Sequence, residues 1–169
     1  PVNGYKGAAI FTDLRGFDDT YLLHEATPLR DSFPADAALH MNPDFPNDLL
    51  LPDNVGNSLQ LNLVSEAVHR FLVETGLGDV EYLPLSIIDH EGRVASLTHV
   101  IVNPVGPVDC IDMEQTRCTM SEFVEGDIDE VTRLVIDERR VPAGRQVFKL
   151  EGLGAPTLVR RALAQRIDQ

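Results

Sequence analysis

The stretch from Leu63 to Asp112, LVSEAVHRFLVETGLGDVEYLPLSIIDHEGRVASLTHVIVNPVGPVDCID, carries the strongest secondary-structure signals of this chain. Its first part is typical of an amphipathic helix, because apolar residues recur at helical spacing between polar ones. Ser65 is a favourable N-cap, and Gly76 or Gly78 allows a left-handed exit from the last turn. A helix is therefore predicted from about Ser65 to Thr75.

The second part of this stretch predicts a β-hairpin. Apolar and β-branched residues indicate one strand from Val80 to Ile88 and another from Val94 to Val102, and the turn His90–Arg93 joins them. Pro84 lacks a backbone N–H, so its place inside the first strand predicts an edge position or a bulge. We expect Asn103 to Pro107 to break the ladder.

Weaker signals on both sides of this stretch complete the predicted fold. Short strands are predicted at Tyr21–Glu25, Ala37–Met41, Thr132–Ile136 and Gln146–Leu150, and a final amphipathic helix at Thr157–Ile167. The expected fold is a single α+β domain over residues 1–169, with a mostly antiparallel sheet packed by two main amphipathic helices. Residues 1–58 are proline-rich and are expected to form an irregular wrap around a helix–hairpin–strand–helix core at residues 59–169.

The two predicted helices resemble each other. Leu63–Val68 aligns with Leu158–Leu163, and Leu72 then matches Ile167, at a constant offset of 95 residues. Two explanations of this similarity are open: one supersecondary unit occurs twice in the chain, or two amphipathic helices are similar by chance.

Composition favours a soluble globular protein. The chain has 169 residues, of which 43% are hydrophobic, enough for one core without disulfide or metal staples. No apolar run approaches the roughly 18 residues that span a bilayer. Residues 1–9 lack the basic and apolar regions of a signal peptide, although a leader removed before Pro1 is compatible with the sequence. Cys110 and Cys118 stand outside any zinc motif and are predicted to be free thiols, although a disulfide between them is sterically conceivable.

The net charge of −13 is unevenly distributed. Residues 1–58 carry nine acidic and three basic side chains, residues 59–130 carry fourteen and three, and residues 131–169 carry four and eight. Such an acidic surface repels nucleic acid and favours a basic protein partner, although acidity alone also serves solubility.

The densest acidic region, around residues 109–130, is the candidate interaction face. It lacks the DxDxDG loop and distal glutamate of a calcium site, so a metal is not expected there. The candidate partner-binding residues are Asp109, Asp112, Glu114, Glu122, Glu125, Asp127, Asp129 and Glu130.

No catalytic motif is present in the sequence. There is no nucleophile elbow, P-loop or dinucleotide-binding glycine pattern, and the five histidines are scattered without ligand spacing. His99 is expected to be a packed residue of a strand and not a general base. An enzyme would need a site assembled from distant residues, and a small hydrolase of that kind remains the less favoured alternative.

Several short motifs, in this order, resemble the immunity proteins of bacterial polymorphic-toxin systems, a family long catalogued as a domain of unknown function. The capped helix is followed by Gly78–Pro84 (GDVEYLP), then by Asn103 and by Val108–Asp112 (VDCID). Phe148–Leu150 (FKL) precedes the terminal helix. The similarity covers roughly residues 39 to 169. The chain departs from the pattern at Arg160, where the family often has a serine before the last helix.

The resemblance implies a cytoplasmic, non-enzymatic protein that binds a cognate toxin and blocks its active surface. It implies no catalytic residues, no cofactor and no metal. An adaptor or regulatory domain that binds another bacterial protein is the main alternative. Neither the partner nor the oligomeric state follows from the sequence.

Overall fold

The computed structural model describes residues 5 to 167, so residues 1–4 of the expected N-terminal wrap and the last two residues of the expected core lie outside the described part. Within it the chain forms twelve strands, two α-helices, and short 3-10 turns at Thr20–Leu23 and Glu138–Arg140. The strands and α-helices are β1 (Phe11–Arg15), β2 (Ala38–Met41), β3 (Asn54–Val55), β4 (Leu63–Val64), α1 (Glu66–Thr75), β5 (Val80–Pro84), β6 (Ser86–Ile88), β7 (Val94–Ser96), β8 (Val100–Pro104), β9 (Arg117–Met120), β10 (Ile128–Arg133), β11 (Val147–Leu150), β12 (Leu153–Val159) and α2 (Arg161–Ile167).

Helix α1 is the predicted helix, and its end signals act as expected. The backbone N–H of Val68 donates to the Ser65 hydroxyl at 3.4 Å, so the N-cap partners one of the free amides of the first turn. Gly76 ends the helix in the left-handed conformation with φ +71°. Leu72 is buried and Val68 and Phe71 pack half-buried beside it, whereas Ala67 is exposed, so the bounds are confirmed and the apolar stripe is confirmed in part.

The predicted hairpin exists, but it is divided between two sheets. Strand β5 pairs with β8 in a sheet of order β3-β4-β8-β5, whereas β6 pairs with β7 in a sheet of order β1-β2-β6-β7. The chain passes between the sheets at the buried residue Leu85. Strand β5 is an edge strand that ends at Pro84, which confirms the edge position. The predicted break at Asn103 is wrong, because Asn103 pairs with Glu81 and Pro104 with Val80.

Two of the weaker strand predictions need correction. Ala37–Met41 is confirmed as β2, but Tyr21–Glu25 is wrong because the 3-10 turn Thr20–Leu23 occupies that position. The strand predicted at Thr132–Ile136 lies earlier in the chain and ends at Arg133 as β10, because β10 takes its register from β9.

The last predicted helix is wrong in its first part and confirmed in its second. Only Arg161–Ile167 is helical, and Leu153–Val159 forms β12 against β11. Leu158, expected on the helical stripe, pairs across strands with Phe148. The antiparallel ladder satisfies backbone groups that a longer helix would have satisfied internally, and tertiary pairing therefore overrides the local helical pattern.

The sequence similarity between the two helices corresponds to a local strand–helix unit that occurs twice. In each copy a strand pairs antiparallel with a neighbour, one residue follows (Ser65 or Arg160), and a helix begins. Asn62 and Thr157 stand at matching positions, 95 residues apart, and the Asn62 Nδ2 donates to the Thr157 Oγ1 at 2.7 Å. The two units thus face each other at their matching strands.

A hydrogen-bonded clamp holds the loop before Arg30 against β5. The Glu81 carboxylate accepts from the backbone N–H of Leu29 at 2.7 Å, and the Asn103 side-chain amide donates to the Thr27 carbonyl at 3.0 Å. Asn103 is 2% exposed, so its place in the resembled motif corresponds to a buried packing role.

Three apolar clusters form the interior of the domain. One lies between the N-terminal segment and the inner faces of the two larger sheets, one beneath α1 and α2, and one beneath β9 and β10. All strand pairs except the parallel pair β2–β6 are antiparallel among the described residues, which confirms a mostly antiparallel α+β domain. None of the helices in the described part could span a membrane.

Candidate functional site

Strands β9 and β10 form a hairpin that extends from the body of the domain. In the described chain they pair with each other and with no further strand. Ile128 is buried and Cys118 and Val131 are half-buried, all three against the third apolar cluster, so the hairpin rests on the core by one face. The other face and the loop at the end of the hairpin are exposed to solvent.

The loop at the end of this hairpin, residues 121–127, has a fixed conformation. The Ser121 hydroxyl accepts from the backbone N–H of Phe123 at 3.3 Å and of Val124 at 3.4 Å. The Ser121 N–H donates to the Asp127 carbonyl at 2.8 Å and closes the loop. In these contacts the serine hydroxyl bonds the backbone two and three residues further on, as serine does in many turns.

A second contact ties the loop to the turn between β11 and β12. The N–H of Ile128 donates to the Gly152 carbonyl at 2.8 Å. Gly152 has φ +71°, and a Cβ on it would lie 2.5 Å from the Gly126 carbonyl oxygen. Only glycine permits this approach of two backbones, so the hairpin end is held at a defined place on the domain.

The eight predicted partner-binding acids fall into two groups. Asp109, Asp112 and Glu114 lie in the loop before β9, whereas the other five lie on the hairpin. Asp109 pairs with the Arg140 guanidinium. Asp112 accepts from the Gln115 side-chain amide at 2.6 Å and from two backbone N–H groups at 3.1 Å, so its carboxylate caps a turn. Both carboxylates already have partners within the chain.

The hairpin acids have no such partners. All five side chains are exposed, and within residues 5–167 none of them forms an ion pair or a side-chain hydrogen bond. These acids, named the hairpin carboxylates from here on, are Glu122, Glu125, Asp127, Asp129 and Glu130. Arg117 and Arg133 pair across the opposite end of the hairpin, so negative charge is concentrated toward the loop.

Exposed apolar side chains lie among the hairpin carboxylates. Phe123 is 93% exposed, Val124 is 53% exposed and Met120 is 43% exposed. Phe123 is not among the residues that the charge pattern predicts. An apolar pair between two turn-forming residues, Ser121 and Gly126, is the sequence signal that points to it, because a turn places such a pair at the surface.

A cavity of about 770 Å³ lies elsewhere, between the two repeated units. Matching residues of the two copies line it: Asn62 with Thr157, and Val64 with Val159. Its walls are mainly apolar. The groups whose pKa departs from its ordinary value are not among its lining residues.

Three buried titratable groups lie outside the hairpin itself, and one of them, Cys110, belongs to the apolar cluster beneath it. Lys149 is 3% exposed, its ammonium donates to the Leu23 carbonyl, and burial lowers its pKa to about 8. Burial also lowers the pKa of His99, whose Nδ1 lies 2.7 Å from the Ser96 hydroxyl. His99 is 7% exposed, which confirms that it is packed, but it lies in the loop between β7 and β8 and not in a strand as predicted. Burial raises the pKa of the Cys110 thiol.

Both cysteines are free thiols, as expected from the sequence. Between residues 5 and 167, no three His, Cys, Asp or Glu side chains lie close enough together to hold a metal ion. No protein-family model matches the chain, and no curated protein matches it in sequence.

Proposed function

We propose that this chain is a non-enzymatic immunity protein that binds a cognate bacterial toxin in the cytoplasm and covers its active surface. Two independent features support the proposal. One is the order of short motifs that resembles polymorphic-toxin immunity proteins. The other is an exposed surface whose unpaired negative charge complements a basic protein.

The observation that carries the proposal is the set of hairpin carboxylates. Like charges placed side by side repel one another, and a protein offsets this cost with nearby cations when the fold alone is at stake. Such offsets occur elsewhere in this chain, as in the pairs Arg93–Asp89 and Arg139–Asp137. The hairpin carboxylates lack them, so their charge is available to a partner.

The proposed mechanism is steric occlusion guided by electrostatic attraction. A projecting acidic hairpin accelerates encounter with a basic protein and fixes the orientation of docking. If the toxin is a nuclease, its substrate groove is basic, and the hairpin carboxylates occupy the positions of nucleic-acid phosphates.

The test uses the product of the neighbouring reading frame as the partner, with affinity measured by calorimetry at several salt concentrations. The test variant combines Glu122→Gln, Glu125→Gln, Asp127→Asn and Asp129→Asn. We expect this variant to bind more weakly. Its affinity should also decrease less as salt is added, because fewer attractive charge pairs are left for salt to screen.

A matched control separates local contact from overall charge. The control variant combines Asp18→Asn, Asp31→Asn, Asp36→Asn and Asp44→Asn, which change the net charge equally at exposed positions outside the hairpin. It should bind almost as the unchanged chain does. Unchanged affinity of the hairpin variant would refute the acidic-surface mechanism. A partner that binds through the hairpin but does not arrest growth on its own would favour the adaptor alternative.

A further inference from the structure

We propose that Phe123 is an apolar anchor that inserts into a hydrophobic socket on the partner, and that lysine and arginine side chains form the rim of this socket. Val124 and Met120 would widen the apolar contact. The proposal rests on the proposed function for the existence of a protein partner. It goes beyond it by naming the chemistry of the partner surface.

The exposure of Phe123 is the first reason. A phenylalanine that is 93% exposed gives the fold almost no buried apolar area, so folding does not explain it. Phenylalanine and methionine are among the side chains that are enriched at the centre of protein interfaces. Glu122, Glu125 and Asp127 lie in the same exposed loop, and Asp129 and Glu130 follow on β10, so an apolar centre with a charged margin is formed, as in protein interfaces.

The rigidity of the loop is the second reason. The two N–H groups bonded to the Ser121 hydroxyl include that of Phe123 itself. The close approach of Gly152 to Gly126 fixes the other end of the loop. An anchor that is already held in place loses less conformational entropy on binding than one on a mobile loop.

The charge around the anchor decides which occupant fits. Two copies of this chain would bring two sets of hairpin carboxylates together, and an anionic membrane surface would repel them as well. A socket with a neutral or acidic rim would leave the carboxylates desolvated without compensation. A basic rim pairs with them, so the geometry selects a basic protein surface with an apolar depression.

The experiment uses a phage-displayed library of random peptides as the probe and needs no identified partner. The library is selected on the immobilised unchanged chain alone, and the affinity of the selected peptides is then measured for the unchanged chain and for the Phe123→Ser variant. Selected peptides should combine apolar residues with lysine or arginine and bind Phe123→Ser roughly 30-fold more weakly or worse. The control is Phe45→Ser, which removes another exposed phenylalanine outside the hairpin and should leave their affinity unchanged.

The outcomes separate the anchor from the proposed function. Peptides without basic residues, peptides that bind Phe123→Ser equally well, or no enrichment at all would overturn the anchor. If the toxin candidate loses affinity for the hairpin-carboxylate variant but not for Phe123→Ser, the proposed function stands and the anchor falls. Equal melting temperatures of Phe123→Ser and the unchanged chain show that the fold is retained, as expected for an exposed side chain.

Discussion

Replacing Lys149 by methionine should change how the stability of this protein depends on pH. Lys149 is buried in β11, and its ammonium meets the Leu23 carbonyl but no carboxylate among the described residues. Burial lowers its pKa from 10.5 to about 8. Below pH 8 the lysine is charged in both the folded and the unfolded state, so the folded state carries the full cost of burying the charge.

The sign follows from which state loses the proton first. Between pH 8 and 10.5 the folded state releases the proton while the unfolded state keeps it, so the free energy of unfolding rises with pH. Relative to pH 8, the free energy of unfolding rises by about 2 kcal/mol by pH 9.5 and by about 3 kcal/mol above pH 10.5. These values follow from 1.36 kcal/mol for each unit of pKa difference between the two states. Lys149→Met removes this gain because methionine does not titrate.

The assay is urea denaturation followed by far-ultraviolet circular dichroism, since the chain has no tryptophan to report by fluorescence. Burial raises the pKa of Cys110 and Tyr82, which makes stability fall at high pH, but both residues remain in every variant and cancel in the difference. Lys6→Met is the matched control, because Lys6 is exposed and is the other lysine of the chain. Equal pH dependence of Lys149→Met and the unchanged chain would refute this account of the buried ammonium.

Two further predictions concern the hairpin and the thiols. Gly152→Ala should lower the free energy of unfolding by about 2 kcal/mol or more and release the hairpin loop, because alanine disfavours the left-handed conformation and its Cβ would overlap the Gly126 carbonyl. Hydrogen exchange would report the release, and unchanged exchange in residues 121–127 would contradict it. Cys118 should react with a thiol reagent in the native protein, and Cys110 only after urea unfolds it, because Cys110 is fully buried and its raised pKa keeps it protonated. Equal native rates for both thiols would show that this packing is wrong.

The sequence predicts an element well when several local signals coincide there. Helix α1 has a serine cap, a regular apolar stripe and a glycine exit within a dozen residues, and its bounds follow from these alone. Pro84 likewise indicates an edge strand, because its missing N–H restricts it wherever the strand lies. The division of the hairpin at Leu85 depends on which sheet each half joins, and no local signal encodes it.

The C-terminal part shows why other elements escape prediction. Leu158, Ala162 and Leu163 lie at helical spacing, so a helix is expected to start before Leu158. Pairing of β12 with β11 instead extends the chain up to Val159. The offset of 95 residues does align Arg160 with Ser65, and both precede a helix directly. Arg160 has no acceptor atom in its side chain, and its guanidinium donates to the Arg145 carbonyl at 2.7 Å.

The candidate site, too, could be predicted from the sequence only in part. The acidic character of residues 109–130 follows from composition. The structure adds that Asp109 and Asp112 are partnered within the chain, by Arg140 and Gln115, whereas the hairpin carboxylates are not. Phe123 looks like a core residue in the sequence, since phenylalanine is usually buried. Its exposure is evident from the loop in the structure, and the turn-forming residues Ser121 and Gly126 are the weaker sequence signal for it.

Amide hydrogen exchange on the complex tests the central claim most directly. The chain is compared alone and bound to the product of the neighbouring reading frame, at a concentration that saturates binding. The account predicts that exchange slows mainly between residues 119 and 130, where the hairpin carboxylates and Phe123 lie. Protection confined to the residues that line the cavity between the two repeated units, with unchanged exchange in the hairpin, would contradict it.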